Sequence, residues 1–397
     1  MSLKAQRTHV RLADGRDLFY YDDPEPETPA SGAARAPAGR VVPDSRDLPP
    51  MPSAARMRRD PLTGEWIPMA SHRMNRTHLP SRADCPLCPT APGGAPTEIP
   101  APDYHVAVFE NRFPSLNARD AQPPSSVDGH DLWPERASEG RCEVVCFTSD
   151  HESSFSALEP TRARTVIEAW ADRTHELMAI PAVRSVFCFE NRGHEIGVTL
   201  AHPHGQIYAY PYVPPRSAQH VARAEEHYRA TGRDLLGDIV QAEQDAEHRI
   251  VARGEHWTAF VPAAARWPVE VHMVPHRHVL DLTEATEGER DELAQMYPAL
   301  LRALDHFFVD DDDQPIALPY IAGWFAAPKA DGDAAEVADP RSRPRLHLQV
   351  ISVMRAAGKL KYLAGSESAQ GAWVSDTTPE QIAERLRTVV AVSMAPS

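Results

Sequence analysis

One order of motifs occurs twice along this chain of 397 residues, and the repetition limits the folds open to it. In the first copy, strand and helix patterns surround Arg112-Phe113-Pro114 and end at His204-Gly205-Gln206. The second copy has Arg266-Trp267-Pro268 and His347-Leu348-Gln349 at the matching places. Units that recur in sequence are typical of units that recur in structure. We therefore predict a duplicated α+β fold, in which mainly antiparallel strands form one extended sheet or half-barrel flanked by helices.

Apolar alternation and turn residues divide the chain into elements. Three helices are predicted, at residues 160–180, at 284–308 with Pro298 kinking or splitting the helix, and from 379 to about 392. The predicted strands are residues 104–111, 142–149, 185–191, 206–210, 256–261, 270–275, 318–325 and 346–353.

The pattern predicts three parts. Residues 1–57 form an N-terminal arm, and its stretch 22–56, rich in Pro, Ala and acidic residues, is predicted to be poorly ordered. Residues 58–215 form the first repeat and residues 216–397 the second. Because the second repeat has Arg345 where the first has His202, the chemistry is predicted to belong to the first.

Charge and hydropathy exclude several partners. A net charge of −15 argues against nucleic-acid binding, and a phosphate ligand would need locally placed arginines. No apolar run reaches the ~20 residues of a membrane helix, and the first residues lack the apolar segment of a secretory signal. The sequence therefore predicts a cytoplasmic protein that binds neither nucleic acid nor membrane.

Five cysteines do not make a disulfide framework in a chain of this length, but Cys85 and Cys88 have metal-ligand spacing. A structural zinc site needs four N/S ligands, and His151 and His202 are the best remaining candidates. The alternative is a pair of buried thiols in a Pro-rich turn, with His151 at the surface. The other three cysteines lie in apolar strand patterns and are predicted to be core residues.

The segment around His204 predicts a nucleophile. A neutral imidazole attacks phosphorus without first losing a proton. Gln206 lies on the same side of the strand and could hold a phosphoryl oxygen as charge builds, and Gly205 would let a phosphate approach the backbone. With His202 fixed by a metal, a neighbouring carbonyl could accept a hydrogen bond from Nδ1 of His204, which leaves Nε2 to attack.

The alternative for this segment is a second two-histidine metal site or a polar strand edge. Neither a P-loop nor a Rossmann glycine fingerprint occurs in the sequence, so no competing phosphate motif is present.

Taken together, the motifs resemble the galactose-1-phosphate uridylyltransferase family, a two-repeat branch of the histidine-triad superfamily. The resemblance runs from about residue 58 to the C-terminal helix. It depends on the ordered matches Asp60–Trp66, His72-Arg73, Cys85-x-x-Cys88, Phe109–Phe113, Phe189–Gly193, His202–Gln206, Gly323-Trp324 and Lys361–Glu367.

The resemblance implies a reaction and its residues. UDP-glucose and galactose 1-phosphate would exchange for glucose 1-phosphate and UDP-galactose through uridylyl-His204, with Gln206 stabilising the phosphoryl oxygens. Zinc would be bound by Cys85, Cys88, His151 and His202. In the family, a homodimer shares residues between its two active sites. The substrate-binding residues implied are Arg73, Arg76, Asn111, Asn191, Gly197, Thr199, Lys361 and Glu367; from the residues alone, the two arginines would be assigned to a solvated loop.

The chain also departs from the family pattern. Many members bind iron between the repeats, but Phe325 and Gln349 stand where histidine ligands are expected and His220 near an expected glutamate, so that site is predicted absent. Ser366 replaces a tyrosine near the sugar. Two other functions stay open, namely a related nucleotidyltransferase or phosphorylase acting on ADP-sugars or dinucleoside polyphosphates, and a non-catalytic nucleotide-sugar binding module.

Overall fold

A computed structural model describes residues 3–24, 41–51, 56–70, 80–117, 119, 126–330 and 339–393. The helices are α1 (Pro160–Met178), α2 (Pro215–Thr231), α3 (Leu235–Ala246), α4 (Glu287–Asp305) and α5 (Pro379–Ser393). The strands, in chain order, are β1 (Gln6–Arg11), β2 (Asp17–Asp22), β3 (Arg56–Arg59), β4 (Trp66–Met69), β5 (Val106–Glu110), β6 (Glu135–Ala137), β7 (Arg141–Cys146), β8 (Ser185–Arg192), β9 (His204–Tyr210), β10 (Ile250–Arg253), β11 (Trp257–Phe260), β12 (Val269–Pro275), β13 (Phe308–Val309), β14 (Pro315–Ile316), β15 (Tyr320–Phe325), β16 (His347–Ser352), β17 (Met354–Ala356) and β18 (Lys359–Leu360).

One antiparallel sheet of 11 strands organises the molecule, in the order β1-β2-β5-β7-β9-β8-β15-β16-β12-β11-β10. Its two halves meet where β8 pairs with β15, from Arg192 opposite Tyr320 to Phe187 opposite Phe325. On either side of this seam the strands follow the same order, β8-β9-β7-β5 in one half and β15-β16-β12-β11 in the other. The predicted duplicated α+β fold with one extended sheet is confirmed.

Helices α1 and α4 pack together against the sheet and enclose the main core. The predicted apolar stripe of α1 is buried, because Val166, Ile167, Trp170 and Leu177 all face this core. The ring of Trp170 lies parallel to that of Phe155, with centroids 5.7 Å apart. Such aromatic burial is a large favourable contribution to folding, and it fixes the back of the sheet that carries the candidate site.

Helix α4 continues through Pro298, so the prediction of a split there was wrong. Proline removes one backbone hydrogen bond and crowds the preceding turn. Here a capping box between Thr286 and Glu289 stabilises the N-terminus of the helix. Pro298 is itself one of the buried residues of α4. Tertiary packing and the cap together outweigh the loss of one bond.

Several elements were absent from the sequence prediction, among them the first hairpin and two helices. The hairpin of β1 and β2 extends the sheet beside β5, although it lies in the region assigned to the arm. Helices α2 and α3 were also missed, because α2 buries only Ala224 and its apolar stripe is too thin to read. Most of the stretch predicted to be poorly ordered lies outside the described residues. Across the described part of the chain, every helix is too short or too polar to cross a membrane.

Candidate active site

The structure brings together the four residues predicted as metal ligands. Cys85 and Cys88 come from the turn before β5, His151 follows β7, and His202 precedes β9. One ligand atom from each lies within 4.8 Å of all the others. This Cys/His cluster has the composition of a tetrahedral metal site.

Hydrogen bonds aim the imidazole of His202 into the cluster. Its Nε2 donates to the carbonyl of Thr148 at 2.9 Å and lies 2.8 Å from the hydroxyl of Tyr104, which itself donates to the carbonyl of Leu87. Nδ1 is left as the unprotonated nitrogen, 3.6 Å from Sγ of Cys88. Outer partners of this kind fix the tautomer and orientation of a metal ligand.

Burial favours the uncharged forms of Cys88 and His202. Burial, and then the neighbouring Cys85, raise the pKa of the Cys88 thiol to about 12. Burial also lowers the pKa of His202 to about 4, so that ring is neutral and keeps its lone pair. A divalent cation would reverse the balance at the thiols, because it stabilises the thiolate outright.

His204 begins β9, two residues after His202 of the Cys/His cluster. Its Nδ1 donates to the backbone carbonyl of His202 at 2.8 Å, as predicted, so the lone pair is on Nε2. Burial lowers the pKa of His204 and keeps the ring neutral. Nε2 of His204 is thus an unprotonated nitrogen whose orientation depends on the backbone of a residue of the Cys/His cluster.

Two cavities border the ring of His204. The first, of about 310 Å³, is lined by Asn191 and the segment before the paired histidines. The second, of about 290 Å³, is lined by Asn111, Thr199 and Gln206. His204 and Gln206 therefore do face the same side of β9, and the ring is open to a ligand rather than sealed in the core.

Gly197 and Gly205 have backbone reasons for being glycine. Gly197 ends a short 3-10 helix at φ +83°, a left-handed conformation that favours glycine. At Gly205, a Cβ would lie 2.8 Å from the ring of Phe147 and from the carbonyl of Phe189. Gly205 is thus required by packing on the face opposite His204, a different reason from the phosphate approach that the sequence suggested.

Two pairs of predicted residues lie elsewhere. Lys361 is buried and pairs with Asp376 at 2.8 Å, with Glu367 at 3.7 Å, and neither Lys361 nor Glu367 lines the cavities at His204. Arg73 and Arg76 lie outside the described residues.

Sequence reasoning assigned no role to Arg112 or Tyr104. Arg112 lines the second cavity beside Gln206, and Tyr104 contacts His202. The repetition of the Arg-aromatic-Pro motif was a signal for the arginine. Nothing in the local pattern around Tyr104 separates it from an ordinary strand aromatic.

Glu190, which also lines the first cavity, is a buried acid on β8. Burial raises its pKa to about 8, although the hydroxyl of Tyr320, which donates to Oε2 at 3.0 Å, acts in the opposite direction. The carboxyl is therefore predominantly protonated in the folded protein at neutral pH.

Glu190 gives a pH-dependent prediction. Its pKa is raised in the folded state, so its contribution to stability is full below pH 4.5 and is lost as pH rises towards 8. Between about pH 5.5 and 7.5 the free energy of unfolding of the wild type should fall by about 3 kcal/mol relative to Glu190→Gln. Chemical denaturation of both proteins across this range measures the difference. Parallel pH curves would contradict it.

The fold and site define a duplicated α+β protein with a Cys/His cluster beside a strand histidine. The family models "Galactose-1-phosphate uridyl transferase, N-terminal domain" and "C-terminal domain" match residues 49–214 and 219–395. The chain is 41% identical over 387 residues to galactose-1-phosphate uridylyltransferase of Streptomyces lividans, covering 98% of this chain and 99% of the relative. The corresponding enzyme of Thermotoga maritima is 34% identical over 333 residues, covering 83% and 97%. The chain belongs to the galactose-1-phosphate uridyl transferase family.

Solved structures agree with this assignment. A structure described as a uridylyltransferase has a TM-score of 0.73 and 32% identity, and covers 86% of this chain and 100% of that one. An ADP-glucose phosphorylase from Arabidopsis thaliana, described with bound ADP-glucose, has a TM-score of 0.60 and 20% identity, covering 83% of this chain and 98% of that one. At that identity the second likeness shows the fold alone.

Proposed function

We propose that this protein is a UDP-glucose:hexose-1-phosphate uridylyltransferase of galactose metabolism that works through a covalent uridylyl-His204. The observation that carries the proposal is the hydrogen bond from Nδ1 of His204 to the carbonyl of His202, which leaves Nε2 unprotonated beside two cavities. Family membership supplies the substrate class.

The exchange has two half-reactions. Nε2 of His204 attacks the α-phosphorus of UDP-glucose, the bond from that phosphorus to the bridging oxygen breaks, and glucose 1-phosphate leaves. A phosphate oxygen of galactose 1-phosphate then attacks the same phosphorus, and the histidine leaves. The leaving sugar phosphate is a stable anion, with a second pKa of about 6 by analogy with phosphoamino acids. No general acid is needed.

The residues around His204 have matching roles in this proposal. Gln206, on the same side of β9, donates its amide to a phosphoryl oxygen as negative charge builds. Arg73 and Arg76 contact substrate phosphates. The remaining substrate-binding residues proposed are Asn111, Asn191 and Thr199, which line the cavities, and Gly197, which lies one residue before the cavity-lining Val198.

We further propose that the Cys/His cluster binds structural zinc. Two thiolates and two imidazoles are a donor set that zinc prefers, and the bonds from His202 to Thr148 and Tyr104 fit a ligand already oriented. When bound, the metal would fix the backbone of His202, and with it the acceptor that orients His204. The metal takes no part in the transfer itself.

The family's iron site is proposed to be absent here. The ring of Phe325 stacks on His347 with centroids 5.3 Å apart and planes 11° from parallel, where the family pattern expects a second imidazole. Elemental analysis should find iron near zero. One iron per chain would contradict the assignment of Phe325.

A homodimer completes the site in this proposal. Lys361 and Glu367, the residues proposed to grip the sugar, lie away from the cavities of their own chain. A loop that reaches the site of a partner subunit would explain that placement.

Trapping the intermediate tests the proposed function. Incubation with UDP-glucose labelled in the uracil ring should release one glucose 1-phosphate per chain in a burst and leave an acid-labile label on the peptide that contains His204. Galactose 1-phosphate should discharge the label. A larger burst with ADP-glucose, or discharge by inorganic phosphate, would instead favour a phosphorylase acting on ADP-sugars. Binding of UDP-glucose without any burst would favour a non-catalytic module.

A further inference from the structure

The second repeat holds a cavity of about 550 Å³ between the sheet and helices α2 and α3. Its size is in the range of small-molecule sites. Leu236 and Ile239 of α3 supply an apolar wall on one side, and His347 and Gln349 of β16 lie on the other. The cavity is separate from the two that border His204, because it shares no lining residue with them.

The strand register makes this cavity the counterpart of the one at Gln206. In the first repeat Gln206 lies opposite Val144, which lies opposite Phe109. In the second repeat Gln349 lies opposite His272, which lies opposite Phe260. All six residues line their respective cavities.

The histidine and the arginine of the two cavities also correspond. His347 donates from Nδ1 to the carbonyl of Arg345 at 3.1 Å, as His204 does to the carbonyl of His202 at 2.8 Å. Arg266, of the second Arg-aromatic-Pro motif, lines the larger cavity as Arg112 lines the smaller. One difference decides the chemistry. The amide of Gln349 lies 3.1 Å from Nε2 of His347 and donates to it, which occupies the lone pair that an attack would need.

Charge in the larger cavity favours an anion. Four arginines and two carboxylates line it, in a chain with a net charge of −15. Three of the four arginines form ion pairs, Arg345 with Asp234, Arg249 with Glu243, and Arg223 with Glu226 on the same helix, which leaves Arg266.

Two guanidinium groups near the cavity have no such engagement. No carboxylate of the described residues forms an ion pair with Arg266 or with Arg216, which lies one turn before His220 on α2. Burial, and then the charge of Arg266, lower the pKa of Arg216. Burial, and then the charges of Arg216, His272 and Arg266, lower the pKa of His220 to about 4, so the two arginines lie near this histidine. Arg266 and His220 line the cavity, whereas Arg216 lies outside its lining. Glu270 is close enough to act on Arg216, but it is bound to His272 and to the backbone amides of residues 266 and 267.

We propose that the second repeat has a ligand site for a phosphate-bearing small molecule, which it binds without transferring a group. Arg266, which lines the cavity, holds the phosphate, Arg216 adds positive charge nearby, and Phe260 with the apolar wall of α3 contacts the rest of the ligand. Arginine is suited to this, because its planar fork binds phosphate through charge-assisted hydrogen bonds. The comparison with the nucleotide cavity of the first repeat rests on the proposed function, but the arginines and the cavity do not.

Calorimetric titration of the full-length, metal-replete protein tests the proposal. UDP, glucose 1-phosphate and inorganic phosphate are titrated in separate arms, which identifies the source of the phosphate. At least one should bind at a site that Arg266→Gln weakens by about tenfold or more, since a hydrogen bond to a charged group is lost. The matched variant Arg112→Gln, at the corresponding place in the first repeat, should leave that site unchanged and weaken the other.

Several outcomes would overturn the proposal. In one such outcome, all three ligands bind to a single site per chain, and Arg112→Gln weakens binding at that site whereas Arg266→Gln does not. A second variant is needed, because Arg266→Gln could disturb its loop. Ile239 lies at a partly exposed position of α3. Ile239→Trp should fill the cavity and abolish binding at the same site. A second metal ion per chain that His347→Ala removes would show a metal site instead. Failure of the proposed function is recognised separately, by the absence of label on His204.

Discussion

Replacing His204 with asparagine is expected to reduce uridylyl exchange by at least about 10⁴-fold, because loss of a covalent nucleophile removes the reaction path rather than one contact. The asparagine amide can still donate to the carbonyl of His202, as Nδ1 does at 2.8 Å in the wild type. The variant therefore retains the local hydrogen bond and loses only Nε2. Initial rates with UDP-glucose and galactose 1-phosphate measure the effect, with thermal unfolding to check the fold.

The same variant should show no burst of glucose 1-phosphate and no label from UDP-glucose. His306→Ala is a suitable control, since that imidazole is exposed at the end of α4 and bonds only locally to the carbonyl of Arg302. The control should keep wild-type activity. If His204→Asn retained more than about a tenth of the wild-type exchange rate, His204 could not be the nucleophile, even though the chain belongs to this family.

The elements that position this histidine were predictable because their patterns are strong. The strands of both repeats combine β-branched and aromatic residues with turn residues at their ends, and the structure places them within a few residues of the prediction. The Cys85/Cys88 pair and the two histidines were predictable for a different reason: metal chemistry restricts which residues can form such a site.

The rest depended on tertiary contacts that no local pattern reports. Strand β1 is polar at most positions and forms only because β2 pairs with it. Helix α2 is largely exposed, and its residues His220, Arg223 and Ala224 line the cavity of about 550 Å³ in the second repeat. The corresponding positions of Arg112 and Arg266 became visible only in the structure, where each lines the same cavity as the glutamine of its repeat.

Comparison of the repeats shows what the metal cluster contributes to the site. At the place of His202 the second repeat has Arg345, which forms an ion pair with Asp234 and donates to the carbonyls of Pro275 and His276. An ion pair and backbone bonds thus hold β16 where a Cys/His cluster holds β9. In each repeat, the backbone carbonyl of this residue accepts a hydrogen bond from Nδ1 of the histidine two positions later. A metal bound in the first repeat would therefore act as a structural clamp, and its removal should act on stability first.

Removal of the metal is accordingly expected to lower the melting temperature by at least about 10 °C, because a metal that binds only the folded state adds its binding free energy to folding. Without it, one buried thiol, one partly buried thiol and two buried imidazoles would remain with little compensation. Differential scanning calorimetry with and without a zinc chelator measures the change, and added zinc should reverse it. Cys88→Ser should unfold at the chelated temperature and be insensitive to the chelator.

Cys188→Ala provides the matched control for the metal prediction, since this thiol is buried in β8 and lies outside the cluster. Its melting temperature should fall through lost packing, but the chelator should lower it further by the same amount as in the wild type. A common response of all three proteins, or active wild-type protein without zinc, would show that β9 is held by protein contacts alone. In that case the orientation of His204 would need no metal.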